Sequence, residues 1–241
     1  MKLIKNKYLF FVTRILKDIF NPTVWPISNE MWNKELGEYY FLFTEEAMEN
    51  QKGGQKSIIY NDEGIPMNPT YIDVKDKDYV YYPITIGQVG LSVFHTYLKS
   101  GSDNDKKRFL KFPEWFAQNV ILDEKLGAYW LTEVSLPQYR NSGPWQSAFV
   151  QSRAISNLLR GFQLTGKKEF ADLAESALIP FTIPVSEGGV TSFTEFGPYY
   201  EEYTASVPVC VLNGMIFSLC GVADYMRVFP DSNLAEKLFN E

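Results

Sequence analysis

One histidine serves the whole 241-residue chain. Any Ser-His-Asp or Cys-His site would have to use His95, and a centre built from several histidines is excluded. Its place in an apolar stretch between Phe94 and Thr96 predicts a packed, hydrogen-bonded imidazole. Acid–base chemistry is then left to Tyr, Glu, Asp or Lys. Cysteine is almost as scarce. Cys210 and Cys220 lie in one apolar run that reads as helix, where ten residues separate them by ~15 Å, too far to pair. Two free thiols without a disulfide framework fit a reducing compartment, and a cytoplasmic location is expected. Positive charge is short as well: 23 Lys and Arg face 29 Asp and Glu, a net charge of −6. That removes the basic footprint of a nucleic-acid binder, and it obliges any polyanionic ligand to find a locally basic cleft. No apolar run reaches the ~20 residues of a membrane span. In residues 1–20 the apolar stretch Tyr8–Val12 is followed too soon by Arg14 and Lys17 for a signal-peptide core. An amphipathic first helix packing on the domain is expected there, with a membrane-surface helix as the second reading. No metal site and no cofactor is expected.

What the chain does have is aromatic rings and a repeat. Fifteen Tyr, eighteen Phe and five Trp make 16% of the sequence, which suits either sugar stacking or an aromatic core. A helix–break–helix pattern recurs about every 62 residues. Ile84–Lys99, the break at Ser100–Asp103 and Lys106–Val120 form the first unit; Trp145–Leu164, Thr165-Gly166 and Lys167–Ile179 form the second. Val209–Val228, Phe229-Pro230-Asp231 and Ser232–Glu241 form the third. Gln88, Gln151 and Asn213 hold the register, 63 and 62 residues apart. Repeats of this length are stacked supersecondary units that cannot bury their faces alone. The second helix of each unit is amphipathic, as in Phe109, Phe112 and Phe116 or Phe170, Leu173 and Ala174. The first is apolar nearly all round, the mark of a helix enclosed by protein. The expected fold is mainly α, an incomplete α/α toroid of helical hairpins with short β-hairpin loops. Residues 79–241 would form the toroid, and 1–78 an N-terminal helix and irregular lead-in packed on it. Pro113 should break or restart the helix that holds it. The connections Ile121–Pro144 and Pro180–Pro208 run to 24 and 29 residues, long enough to be functional, and each carries a glycine turn with a strand-like stretch.

The densest polar–aromatic cluster is Pro198-Tyr199-Tyr200-Glu201-Glu202-Tyr203, just ahead of Val211-Leu212-Asn213-Gly214. Carboxylates near a helix start can simply favour its dipole, but Glu202 and Tyr203 stand too far before the apolar run to cap it. Tyr200-Glu201-Glu202-Tyr203 with Val211-Leu212-Asn213-Gly214 resembles the C-terminal domain of the D-glucuronyl C5-epimerases. So do Trp145-Gln146-Ser147-Ala148 with Gln151-Ser152-Arg153-Ala154-Ile155-Ser156, and Tyr82-Pro83-Ile84-Thr85-Ile86-Gly87-Gln88 with Gly90-Leu91-Ser92. The three blocks lie in order on the repeat, across roughly 79–225. Thr204 stands where the family has proline, and the family's β-rich insertion between its first two helices is reduced to a turn near Gly101. The family continues into a segment with two further tyrosines, so the chain is expected to be cut short of the complete domain and to turn over poorly.

The resemblance implies epimerisation at C5 of D-glucuronate residues in a glycosaminoglycan-like or capsular polysaccharide, such as a heparan-sulfate-like chain. A proton is removed beside the uronate carboxylate and one is returned to the other face, with acid–base groups flanking the ring and donors stabilising the enolate-like intermediate. Glu202 would abstract the proton, with Tyr203 beside it. Substrate contacts would come from Tyr82, Gln88, Arg140, Trp145, Gln151, Arg153, Tyr200 and Asn213, with the arginines gripping carboxylate or sulfate. Trp130 suits the core slightly better than a sugar ring. The partner is a uronate-containing polysaccharide, and a homodimer is possible through an exposed apolar third unit. A uronate polysaccharide lyase and a non-catalytic polysaccharide-binding toroid remain the other readings.

Overall fold

A computed structural model describes the chain from residue 9 to 240, apart from residues 10, 11, 14, 17, 18, 21–25, 32, 50, 51, 54, 55, 71–78, 137, 138, 140 and 142. The fold is mainly α. After a short helix α1 (Glu45–Glu49) come three helical hairpins: α2 (Pro83–Ser100) with α3 (Asp103–Gln118), α4 (Ala148–Thr165) with α5 (Lys168–Ser176), and α6 (Leu212–Val228) with α7 (Asn233–Asn240). The strands are short: β1 (Lys52–Gly53), β2 (Lys56–Ser57), β3 (Ile59–Tyr60), β4 (Pro66–Pro69), β5 (Tyr79–Val80), β6 (Ile121–Asp123), β7 (Gly127–Tyr129), β8 (Thr191–Thr194) and β9 (Gly197–Tyr200). The long connections carry the antiparallel hairpins β6–β7 and β8–β9.

Local chemistry explains the hairpins. Helix α2 starts on Pro83, whose fixed φ suits a first turn, and stops at Gly101 in the left-handed conformation (φ 63°). Ser102 then caps α3 by accepting the Asp105 N–H at 3.1 Å. Ser147 caps α4 in the same way, through the N–H groups of Phe149 and Val150. Pro113 does not break α3, contrary to expectation. Its ring packs against Gly161 of α4, where any Cβ would lie 2.8 Å from Pro113 Cβ, so the contact between helices outweighs the lost backbone bond.

Helix α4 is central, packed on both α2 and α6. A Cβ on Gly87 would lie 2.5 Å from Arg153 Cβ, and one on Gly221 2.5 Å from Ser152 Cα; bare backbone is what lets α2 and α6 approach α4 this closely. Helices α3 and α5 bury only one stripe each, Phe109, Phe112, Pro113 and Phe116 on one, Phe170, Ala171, Leu173 and Ala174 on the other. The third first-helix departs from the sequence expectation. α6 is not enclosed: Leu212 and Ile216 are 68% and 46% exposed. Cys210 lies before α6, not within it, with φ 52°, and neither cysteine is paired.

The segment from Leu36 to Phe43 straps α2 and α4. His95 of α2 holds it at two points, accepting the Tyr39 N–H on Nε2 at 2.9 Å and facing the Phe43 carbonyl with Nδ1 at 2.9 Å. Because a backbone N–H can only donate, Nε2 carries no proton and Nδ1–H donates to Phe43. His95 is thus the packed core histidine expected from its neighbours. Arg160 of α4 forms a fully buried pair with Asp224 of α6 (2.7 Å) and also donates to the Gly37 carbonyl. The expected packing of the first helix fails among the described residues: Leu9, Val12, Ile15, Leu16, Ile19 and Phe20 are 47–81% exposed.

Candidate active site

The β8–β9 hairpin delivers the acidic pair, and the two carboxylates diverge. Glu201 is fully buried; its Oε1 accepts from the Ser192 hydroxyl at 2.6 Å and its Oε2 from the Cys210 N–H at 3.0 Å. Its backbone bonds Val190 and Ala148. Glu201 is therefore a structural clasp between the hairpin, α4 and the approach to α6. Glu202 turns instead onto the first turn of α6. A Cβ on Gly214 would lie 2.7 Å from Glu202 Oε2, so the glycine is the seat of the carboxyl group. Val211, the N-cap of α6, makes no side-chain cap bond, and Glu202 Oε2 has no hydrogen-bond partner among the described residues. Glu202 is not a helix cap.

Glu202 is 6% exposed. Burial raises its pKa above the ordinary carboxylate value, while a hydrogen bond from Tyr203 and the charge of Arg153 pull it back down. The Tyr203 ring stacks on Tyr139 (4.7 Å, 18° between planes) and leans on Trp145 (5.3 Å), which meets Tyr82 edge-on at 6.0 Å. Tyr82, Trp145, Tyr203 and Tyr139 thus form a continuous aromatic wall beside a buried carboxyl with one oxygen uncommitted. A carboxyl in this setting has the raised proton affinity that general-base chemistry can use, with a phenol at its side.

Several expected contacts fall away. Gln151 is fully buried and donates through Nε2 to the carbonyls of Ala128 and Ala177; it ties β7 to the end of α5. Tyr200 is 1% exposed, its hydroxyl donating to the Leu238 carbonyl, so it too belongs to the core. Arg153 is fully buried, boxed by the rings of Tyr39, Phe43, Phe149 and Phe217 at 4.6–5.4 Å and bonded to the Tyr39 hydroxyl. In this placement its guanidinium is shielded from solvent, and it acts on Glu202 through its charge. Gln88 is half-buried on α2 and Asn213 is exposed in the first turn of α6, so the shared register of Gln88, Gln151 and Asn213 does not converge on one point. Trp130 is core, its indole N–H donating to the Phe116 carbonyl. Arg140 lies outside the described residues.

A cleft of about 860 Å³ adjoins the aromatic wall, between the segment 141–146, the hairpin β8–β9 and the segment 204–208. Glu202 and Tyr203 stand behind its rim and do not line it. Hydrogen bonds hold the two rims together, Thr204 Oγ1 to the Gln146 carbonyl at 2.9 Å and Asn141 Nδ2 to the Thr204 carbonyl. Gln146, Phe193 and Thr204 were not legible as site residues, and Gly214 was visible only as the last residue of a motif. A smaller cleft of about 370 Å³ meets the larger at Leu131, under Tyr79, Tyr81 and Trp115. Among the described residues no group of His, Cys, Asp or Glu could hold a metal ion, and no helix is long and apolar enough to cross a membrane.

Residues 123–241 match the profile of the D-glucuronyl C5-epimerase C-terminus. Over these residues, just under half of the chain, it is similar to that family's C-terminal domain. A 38% identity over 84 residues, 35% of this chain, relates it to the D-glucuronyl C5-epimerase of Caenorhabditis elegans, of which it covers 14%. An uncharacterized protein of Methanocaldococcus jannaschii is 25% identical over 183 residues, 68% of this chain and 59% of that protein. The chain thus spans less than two thirds of the length of either relative. The matched residues of the epimerase-like domain include Trp145, Glu202, Tyr203 and Gly214, the elements of the site.

Proposed function

We propose that the chain inverts C5 of D-glucuronate residues in a polysaccharide, with Glu202 removing the C5 proton. The observation that carries this reading is the Glu202 carboxyl: 6% exposed, seated on Gly214, with Oε2 uncommitted. A carboxylate shed of water and spared from capping is a stronger base than a surface one. Tyr203 hydrogen-bonds it and so steadies the charged carboxylate before proton transfer, while the wall of Trp145, Tyr139 and Tyr82 offers faces for pyranose rings. Three antiparallel hairpins with α4 between α2 and α6 suit an arc of an α/α toroid. The exposed Leu212 and Ile216 of α6, with Phe239 (44% exposed) on α7, support a homodimer through that side. A cytoplasmic setting accords with the unpaired Cys210 and Cys220.

The test is deuterium incorporation at C5, followed by NMR in D₂O with a glucuronate-containing polymer. Wild type should exchange the hydrogen slowly, and Glu202→Gln should reduce that rate by ~10² or more, the usual worth of a general base. Exchange at the wild-type rate in Glu202→Gln would refute the assignment. An unsaturated product seen by ultraviolet absorbance would replace epimerisation with β-elimination. Binding without exchange or elimination would leave a polysaccharide-binding domain.

A further inference from the structure

We propose that the N-terminal helix is an in-plane anchor that seats this protein on an anionic lipid bilayer. The proposal is independent of what the chain catalyses. Leu9, Val12, Ile15, Leu16, Ile19 and Phe20 are helical and 47–81% exposed. At about 100° per residue they share an arc of ~140°, so one face of the helix is apolar. Thr13 stands at the edge of that arc, and its hydroxyl donates to the Leu9 carbonyl one turn back at 2.8 Å. Its proton is thus already paired within the helix, and lipid beside it strips no bond away. By the same period the sequence sets Arg14, Lys17 and Asp18 opposite the apolar positions.

Charge decides what covers such a face. Residues 1–20 hold Lys2, Lys5, Lys7, Arg14 and Lys17 against Asp18, a net +4 in a chain of net −6, which leaves −10 on residues 21–241. A second copy laid face to face would set one basic segment beside another. An anionic bilayer takes the apolar side chains into its headgroup–acyl boundary and attracts each Lys or Arg next to it. It also repels the acidic body, so the protein rests on the lipid through this helix. The helix lies in the surface and does not cross it: twelve residues from Leu9 to Phe20 rise ~18 Å, short of a hydrocarbon core of ~30 Å. Among the described residues no helix is long and apolar enough to span.

The experiment is co-sedimentation of the whole chain with vesicles of phosphatidylcholine, with and without about 30% phosphatidylglycerol. The anionic vesicles should bind at least about tenfold more tightly than the neutral ones, since each Lys or Arg near the surface adds about fivefold. Raising salt from about 0.05 to 0.5 M should remove most of that difference. Ile15→Asp with Ile19→Asp should weaken binding to the anionic vesicles at least about tenfold. The urea midpoint of that double variant should stay at the wild-type value, because both side chains are exposed in the fold. Phe20→Trp should add fluorescence that brominated phosphatidylcholine in the anionic vesicles quenches. Equal binding to both vesicles, undiminished binding of the double variant, or added emission that brominated lipid leaves unchanged would each overturn the proposal. So would a dimer mass in light scattering that the double variant halves, since a second copy would then cover the face.

Discussion

Acid should loosen the strap laid across α2 and α4, because His95 holds it only while neutral. The imidazole is 5% exposed, and Nε2 accepts the Tyr39 N–H. A proton added to Nε2 would point at another N–H. Burial is the main cause that lowers the pKa from 6.5 to about 4, with the charges of Arg160 and Lys99 acting in the same direction against the opposing bond to Phe43. For a depressed histidine the sign is definite: its neutral form stabilises the fold above the unfolded pKa, and that stability is lost as pH falls from about 6.5 towards 4. At about 1.36 kcal/mol per unit, the loss between neutrality and about pH 4.5 comes to ~2–3 kcal/mol. Urea unfolding across this range should show that loss in wild type. His95→Gln keeps a donor and an acceptor without titrating, so it should lose less by the same ~2–3 kcal/mol. Parallel pH profiles for the two proteins, or an NMR titration of the His95 ring near 6.5, would refute the reasoning.

Removing Asp224 should be among the most damaging single changes, because it strands the buried Arg160 guanidinium; Asp224→Ala should lose about 3–5 kcal/mol in urea unfolding. Gly214→Ala should push Glu202 off its seat while leaving α6 helical, cutting C5 exchange by about 10²-fold with an unchanged far-ultraviolet circular dichroism spectrum. Glu202→Gln removes a buried group whose charged form burial disfavours, so its melting temperature should match or exceed that of wild type even as exchange is lost. If α6 forms a homodimer face, Leu212→Glu with Ile216→Glu should shift light scattering from dimer to monomer mass.

The sequence alone determined the three helical hairpins, because their signals are local. Apolar spacing marked α3 and α5 as single-stripe helices, and Gly101 and Gly166 marked where a chain must turn left-handed after a helix. It also placed Glu202 and Tyr203 in one loop ahead of α6, and His95 in the core, since a polar ring in an apolar run needs partners. Pairings between distant residues were decided by tertiary structure. Glu201 and Glu202 are neighbours of one chemistry, yet Glu201 is spent on Ser192 and Cys210 while Glu202 rests on Gly214 with an oxygen uncommitted. Nothing in their order separates a clasp from a base. The register of Gln88, Gln151 and Asn213 placed equivalent positions on successive helices, but burial differs from helix to helix, and Gln151 went to the carbonyls of Ala128 and Ala177. Arg153 read as an anion grip because an arginine beside a site has that capacity. Only the fold wrapped four aromatic rings around it and turned it into a charge felt through the packing. A residue's capacity is written in its side chain; which of its bonds is left free for a ligand depends on every neighbour that folding brings against it.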